Sequence, residues 1–388
     1  MAWIIPSENM LDTQQREFVE NMRNMRNSYI KGFAGSGKSV LLAYAAKKAK
    51  DRFPDCSIAL VVFTKSLVEM FRVAFKEIGV SGVTIETFFA FMKSSSSYDY
   101  ILCDEVQDLT PRILTEMNRR GNHVIVAGDC NQSLYSVDPR WKEATTVSPN
   151  SVASYISGNT VELGIIHRLS RSLISAVQKL LPNMNIFRAK TDMTKEDTQI
   201  RLGKADSQSD EVKYIINTAR KAVNVGQTAG VLLPSHDQIL EFANNALELE
   251  GHSAWNRVND RYGHPDYNSL NNYLQRCGIN MKYVGNGYGS FSENDHCIVL
   301  MTYHSAKGLD FDCVFLPFAN SNLFGDKSEN EGKTLFMVGM TRARHELYIT
   351  YTSFKPCPYI DTFKSTCSQI DISNDTTTVA SNSNDWGF

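Results

Sequence analysis

The sequence lacks the paired cysteines that indicate a metal cluster. Its 388 residues include 8 cysteines, and none of them forms a C-x-x-C pair. Zinc and iron–sulfur sites usually depend on closely spaced thiolates, so the pattern argues against both kinds of site. We expect free thiols, as in cytosolic proteins.

Long apolar runs are also missing. The apolar stretches at residues 58–63 and 298–301 are far shorter than the roughly 18 residues that a membrane-spanning helix needs. The first residues, Met-Ala-Trp-Ile-Ile-Pro, lack the charged n-region and the apolar h-region of a signal peptide. We therefore expect a cytoplasmic protein with no membrane partner.

Neither sign of charge is in excess. Lys and Arg total 40 and Asp and Glu total 42, a net charge of −2. This balance neither supports nor excludes nucleic-acid binding, because a local basic groove is sufficient. With 42% hydrophobic and 21% charged residues, the composition is typical of globular proteins and excludes disorder throughout.

Short apolar runs alternate with helical patterns along the chain. Such alternation predicts an α/β fold with a mostly parallel sheet covered by helices. In the first part the strands are expected at residues 28–33, 57–63, 100–103 and 123–127. In the second part they are expected at residues 229–233, 297–301, 313–316 and 347–351.

The alternation breaks near residues 149–158 and restarts after Val161, which predicts two domains. The expected domains span residues 1–158 and 159–365. A stretch rich in Gly, Asn and Tyr at about 251–294 predicts a small insertion in the second domain. Residues 366–388 are rich in Ser, Thr, Asn and Asp, and we expect a disordered tail there.

The strongest motif is a phosphate-binding loop of the form G-x-x-x-x-G-K-[ST], placed between an apolar strand and a helix. Its glycines allow backbone N–H groups to surround phosphates at a helix N-terminus. Lys38 would neutralise the β- and γ-phosphates, and the Ser39 hydroxyl would bind Mg²⁺. The loop comprises Gly32, Phe33, Ala34, Gly35, Ser36, Gly37, Lys38 and Ser39.

Two carboxylates, Asp104 and Glu105, end the apolar run at 100–103. An Asp at the carboxyl end of such a strand can hold Mg²⁺, and the adjacent Glu can orient and deprotonate a water. Together with the loop they imply hydrolysis of a nucleoside triphosphate. The transition state spreads charge over the γ-phosphoryl oxygens, so a cation should lie across the cleft. Arg168 and Arg342 are the candidates for that role.

Together these motifs resemble, in the same order, those of the superfamily 1 DNA helicases of the UvrD/Rep/PcrA type. The matches run from residue 11 to about residue 351. The resemblance implies a P-loop NTPase fold with two RecA-like domains, and ATP and Mg²⁺ as cofactors. It implies an ATP-dependent DNA helicase or translocase that moves 3′→5′ on single-stranded DNA or at a single/double-strand junction.

The resemblance also assigns roles to individual residues. Gln15 would read adenine, and Gln132 would sense the γ-phosphate beside the catalytic Lys38, Asp104, Glu105, Arg168 and Arg342. His167, Gly308 and Asp310 would contact the nucleotide. The motifs that contact DNA in that family correspond to Phe63, Thr64, Thr87, Phe88, Tyr135, Trp141, Thr302 and His304.

The chain departs from the family at several positions. His167 replaces a Tyr that stacks on the base, and Asp310 stands where Glu is usual. Trp141 is shifted from the family's base-stacking Trp, so either base stacking or core packing is open to it. Both accessory domains are reduced, the first to residues 92–99, which leaves nearly a bare two-domain motor. We therefore do not expect efficient duplex unwinding by this chain alone.

Two other functions stay open. The chain could be a nucleic-acid-sensing regulatory ATPase of a partner nuclease in a defence or repair assembly, docked through the insertion or the tail. It could also be an RNA helicase of the same superfamily, because a groove that follows the backbone does not require deoxyribose.

Overall fold

The structure is a computed structural model. It describes residues 5–22, 27–129, 143–144, 151–184, 186, 190–191, 195–260, 263, 265–285, 287–290, 296–352 and 355–372. The predicted site residues Gln132, Tyr135 and Trp141 lie outside the described residues, as do residues 373–388. Among the helices that are described, none is both long and apolar enough to cross a bilayer.

The first domain is built on a six-stranded, all-parallel sheet with the strand order β3-β2-β4-β5-β1-β6. Every residue of β2 is buried, as expected for a strand covered on both faces. The strands are β1 (Asn27–Gly32), β2 (Ile58–Val62), β3 (Val83–Thr87), β4 (Tyr98–Cys103), β5 (Gly121–Gly128) and β6 (Asn159–Leu163).

Helices cover both faces of this sheet and form two hydrophobic cores with it. Thr64 begins the third helix by accepting a hydrogen bond from Leu67 N, and Leu67, Phe71 and Phe75 are buried on one face of that helix. The helices are α1 (Thr13–Asn21), α2 (Lys38–Arg52), α3 (Lys65–Glu77), α4 (Phe88–Lys93), α5 (Pro111–Arg120) and α6 (Val152–Tyr155).

The second domain repeats this plan. A two-stranded ribbon, β7 (Ile165–Ile166) with β8 (Lys190–Thr191), precedes a seven-stranded parallel sheet of order β11-β12-β10-β13-β14-β9-β15. Its strands are β9 (Gln199–Lys204), β10 (Ala229–Leu233), β11 (Met281–Tyr283), β12 (Ile298–Thr302), β13 (Phe311–Leu316), β14 (Ala343–Tyr351) and β15 (Ser368–Asp371). The helices are α7 (Arg171–Leu180), α8 (Gln208–Asn224), α9 (His236–Leu249), α10 (Tyr267–Arg276), α11 (Glu329–Met340) and α12 (Pro358–Phe363).

Three segments differ from the expected domain limits. Strand β6 pairs with β1 in the first sheet, so that sheet extends beyond residue 158. The expected insertion at 251–294 contributes α10 to the core of the second domain and β11 to its sheet. The tail prediction is wrong for residues 368–371, because β15 pairs with β9 at the sheet edge. Short polar edge strands carry little hydrophobic signal, and long-range pairing decides them.

Candidate nucleotide site

The phosphate loop connects β1 to the first turn of α2 and has a shape that glycine permits. Gly35 and Gly37 have φ angles of 76° and 86°, in the left-handed region. A Cβ at Gly35 would lie 2.5 Å from Arg168 Cβ, because the backbone of the second domain reaches the loop. His167 N and Arg168 N both donate to Gly35 O, at 2.9 and 3.1 Å.

Lys38 lies inside the loop. Its Nζ donates hydrogen bonds to Gly32 O at 3.0 Å and Phe33 O at 2.8 Å, and the residue is buried. The ammonium therefore lies at the centre of the Gly-rich turn, at the N-terminus of α2, where phosphate oxygens bind in loops of this kind.

Ser39 and Asp104 bring two oxygen ligands together. Ser39 Oγ donates to Asp104 Oδ2 at 2.5 Å, which joins the start of α2 to the end of β4. Burial and the adjacent Glu105 raise the pKa of Asp104 to about 6. A hydroxyl and a buried carboxylate fit the oxygen preference of Mg²⁺, whose charge would stabilise the ionised carboxylate.

Glu105 follows Asp104 in a left-handed backbone conformation with φ 56°, which residues other than glycine adopt rarely and which is often found at functional sites. Gln107 Nε2 donates to Glu105 Oε2 at 2.5 Å. Burial acts to raise the pKa of Glu105, but the Lys307 and Lys38 ammonium groups outweigh it and hold that pKa below its ordinary value. Glu105 is thus ionised and able to accept a proton.

Lys307 is a site residue that sequence reasoning missed. It belongs to the second domain, yet its Nζ pairs with Asp108 and lies 3.6 Å from Glu105 Oε2, both in the first domain. The side chain is fully buried between the two domains. Its position inside the segment that contains Thr302, Gly308 and Asp310 was the available signal.

The two predicted arginines come from the second domain. Arg342 donates to Val338 O at 2.9 Å and to Leu309 O at 3.1 Å, and it is buried. Burial, together with the positive charge of Arg168, lowers the pKa of Arg342 to about 9. Both guanidinium groups would be stabilised by a polyanion in the cleft.

Residues from both domains line one cavity of about 350 Å³. The first domain contributes the loop residues together with Asp104 and Glu105, and the second domain contributes both arginines. The predicted site residues in its lining are Gln15, Ala34, Gly35, Gly37, Lys38, Ser39, Asp104, Glu105, His167, Arg168, Gly308, Asp310 and Arg342.

The predicted nucleotide contacts Gln15 and His167 both line this cavity. Gln15 is the third residue of α1, and its Oε1 accepts a hydrogen bond from Asp12 N while its Nε2 donates to Ser36 O. His167 Nε2 lies 2.7 Å from Asp12 Oδ2. The His that replaces the family's Tyr is therefore joined to the cap of α1 across the cleft.

Several predicted DNA contacts have structural roles. Thr64 and Thr87 cap α3 and α4, and Phe88 is buried against Phe63 with ring centroids 5.1 Å apart. Phe63 itself is half-buried at the carboxyl end of β2.

Thr302 and His304, the other two described residues that were predicted to contact DNA, lie at the carboxyl end of β12. Thr302 is buried and bonded to Ser305. Burial and the nearby Lys327 and Lys307 ammonium groups lower the pKa of His304 to about 4. A neutral His304 contributes no charge to a DNA backbone at neutral pH.

Comparison with known proteins agrees with this arrangement. Two family models match the chain, one described as an AAA domain at residues 15–138 and one as a UvrD-like helicase C-terminal domain at residues 256–354. The first match contains the lining residues from Gln15 to Glu105 and the second contains Gly308, Asp310 and Arg342, whereas His167 and Arg168 lie between the two matches.

Individual relatives match over limited regions. The probable DNA helicase II homolog of Rickettsia felis is 30% identical over 105 residues, 24% of this chain and 15% of that protein. The F-box DNA helicase protein 1 of Schizosaccharomyces pombe is 24% identical over 316 residues, 69% of this chain and 35% of that protein. The chain thus spans at most 35% of the length of either relative. The match to the solved structure of Arterivirus nonstructural protein 10 (helicase) covers 89% of this chain and 64% of that chain, with 15% identity and a TM-score of 0.45.

Proposed function

Since the chain belongs to the UvrD-like superfamily 1 helicase family, we propose that it is an ATP-driven motor that moves on single-stranded DNA. The observation that carries this proposal is the cavity, because Lys38 and Glu105 of one domain line it together with Arg168 and Arg342 of the other. A site shared between two domains changes when a nucleotide closes the cleft, and such closure can move the domains along a strand.

The chain's own groups are sufficient to bind a triphosphate. Residues of the loop and of the first turn of α2 line the cavity, and a helix N-terminus favours bound phosphate. Lys38 can exchange its two carbonyl acceptors for phosphate oxygens. Ser39 and Asp104 would hold Mg²⁺, which when bound neutralises charge on the β- and γ-phosphates. Gln15 and His167 lie where the base would enter.

Hydrolysis requires a water, a proton acceptor and cations. Glu105 orients the water and accepts its proton as the oxygen attacks the γ-phosphorus and the bond to the departing ADP breaks. Arg168 and Arg342 stabilise the charge that spreads over the γ-phosphoryl oxygens. Lys307 lies 3.6 Å from the Glu105 carboxylate, so movement of the second domain alters the base directly.

The proposed path for DNA runs along the carboxyl ends of the parallel strands, where Phe63, Thr64 and Thr87 lie. Half-buried Phe63 offers a ring surface, and base–aromatic stacking contributes about 1–3 kcal/mol per base. The 3′→5′ direction is the part of the proposal that rests on the family resemblance alone.

A second candidate is a regulatory ATPase whose output is a change in a partner protein. It is favoured by the connection between α4, which ends at Lys93, and β4, which begins at Tyr98. Residues 94–97 leave no room for an accessory domain that could separate a duplex.

The test is steady-state ATP hydrolysis with single-stranded DNA, duplex DNA, single-stranded RNA or no nucleic acid. We expect stimulation by single-stranded DNA and loss of turnover in Lys38→Ala, because the loop then lacks its ammonium. Lys48→Ala is the matched control, since Lys48 lies on the same helix outside the cavity.

The outcomes separate the candidates. If only single-stranded RNA stimulates hydrolysis, the substrate is RNA and not DNA. Turnover that no nucleic acid changes would favour the partner-regulated ATPase. Continued hydrolysis by Lys38→Ala would overturn the assignment of the loop.

A further inference from the structure

Asp310 lies between two arginines at the edge of the nucleotide cavity. The guanidinium of Arg344 hydrogen-bonds Asp310 Oδ1, whereas Arg168 NH1 is 3.6 Å from Asp310 Oδ2. Asp310 and Arg168 line the cavity, and Arg344 is outside that lining. The carboxylate is therefore bound firmly from outside and only loosely by the arginine that would meet phosphate.

Arg344 is itself held in place. Its NH1 lies 3.6 Å from Asp312 Oδ1, and Asp312 accepts hydrogen bonds from Thr228 N and Thr228 Oγ1. The backbone carbonyl of Arg344 accepts a hydrogen bond from Thr198 Oγ1 at 3.0 Å. The guanidinium thus has two carboxylate partners and the backbone of the residue is anchored as well, so we expect Arg344 to stay with Asp310 when the cavity fills.

Arg168 has an N–H donor available to a ligand. Its Nε is buried without a hydrogen-bond partner among the described residues, and its NH1 lies 3.6 Å from the shared Asp310 carboxylate. A buried donor in this condition is stabilised by any anion that reaches it. An incoming γ-phosphate competes with Asp310 for this guanidinium.

We propose that Arg344 is a positioning residue for ATP hydrolysis: it satisfies the Asp310 carboxylate so that Arg168 is free to move to the γ-phosphate. Without Arg344, the buried carboxylate would draw Arg168 into a tight pair and hold it away from the nucleotide. The role rests on the proposed ATPase activity and explains why the Asp310 side chain does not trap the arginine beside it.

The test is Arg344→Met, which keeps the length and apolar contacts of the side chain. We expect the affinity for a non-hydrolysable ATP analogue to fall about tenfold while the affinity for ADP changes little, because Arg168 meets only the γ-phosphate. We also expect kcat to fall about tenfold, a fraction of the roughly 10³–10⁵ that loss of an arginine finger costs. Arg344→Lys should recover part of both losses.

Two further variants distinguish positioning from folding. His345→Ala is the matched control, because His345 is the next residue and lies near Asp312 at 3.7 Å, and it should leave both affinities unchanged. Asp310→Asn added to Arg344→Met should recover affinity for the analogue, because a neutral amide no longer traps Arg168. The proposal would be overturned if the double variant bound the analogue as weakly as Arg344→Met does. It would also be overturned if Arg344→Met lost equal affinity for ADP and for the analogue.

The ratio of the affinity for the analogue to the affinity for ADP also separates this proposal from the proposed function. If the wild-type chain binds nucleotide without turnover, ATP hydrolysis fails as the function while the ratio still decides the role of Arg344. If the chain binds no nucleotide, both fail.

Discussion

At the scale of the residue, Glu211 is a buried carboxyl group that lies outside the nucleotide site. It is fully buried on α8, where Oε1 accepts hydrogen bonds from Phe318 N and Thr350 Oγ1. Its Oε2 has no hydrogen-bond partner among the described residues. Burial raises the pKa of Glu211 to about 7, so the folded protein keeps a proton there that the unfolded chain releases.

This shift predicts a pH dependence of stability. Between the ordinary pKa of 4.5 and about 7, only the folded state holds the proton, so stability falls as the pH rises. The full loss is about 3 kcal/mol. Glu211→Gln should remove this slope, and chemical denaturation from pH 5 to pH 8 would measure it. Exposed Glu248→Gln is the control, and an unchanged slope in Glu211→Gln would contradict the prediction.

At the scale of the element, strand β15 shows how tertiary pairing orders a polar sequence. Two isoleucines anchor it: Ile372 is buried, and a Cβ at Gly203 would lie 2.8 Å from atoms of both Ile370 and Ile372. Gly203 on β9 thus leaves room for these side chains. Polar composition predicts disorder, but two apolar contacts and four ladder positions suffice at an edge.

Truncation tests this element. A chain that stops after Thr366 should unfold at a lower temperature than one that stops after Ile372, because only the first loses β15. The lost burial corresponds to roughly 2–4 kcal/mol of unfolding free energy. Thermal denaturation of the two truncated chains side by side is the measurement, and equal melting temperatures would show that β15 adds nothing.

The phosphate loop is the opposite case at this scale. Its strand, glycines and helix start were all predicted, since the loop needs only local backbone freedom and a helix N-terminus. Strand β1 lies within one residue of the expected strand at 28–33, and α2 begins at Lys38, inside the loop motif.

At the scale of the whole molecule, Lys307 joins the two domains through buried charges. Its ammonium pairs with Asp108 and approaches Glu105, and all three residues are buried. Removing one member of such a group leaves the others unpaired in a low dielectric, which costs about 3–5 kcal/mol. The junction therefore connects the arrangement of the domains to the ionisation of Glu105, the proposed catalytic base.

Lys307→Met should lower the free energy of unfolding of the nucleotide-free chain by about 3–5 kcal/mol. Lys47→Ala, which breaks an exposed pair with Asp51, should change it by less than about 1 kcal/mol. Adding Asp108→Asn to Lys307→Met should recover part of the loss. Urea denaturation gives the free energy of unfolding of all three variants. Equal effects of Lys307→Met and Lys47→Ala would show that the buried junction adds nothing to stability.

The sequence by itself determined the local chemistry: the loop, the Asp104-Glu105 pair at the end of β4, and the candidates Arg168 and Arg342. Each follows from a short pattern whose physical requirement lies within a few residues. The tertiary structure alone decided that β6 belongs to the first sheet, that β15 is a strand, and that Lys307 and Arg344 hold Asp108 and Asp310. Those outcomes depend on which distant segments pair and on which charges are buried together. A local pattern can mark Lys307 as a candidate, but it does not identify the partner across the domain boundary.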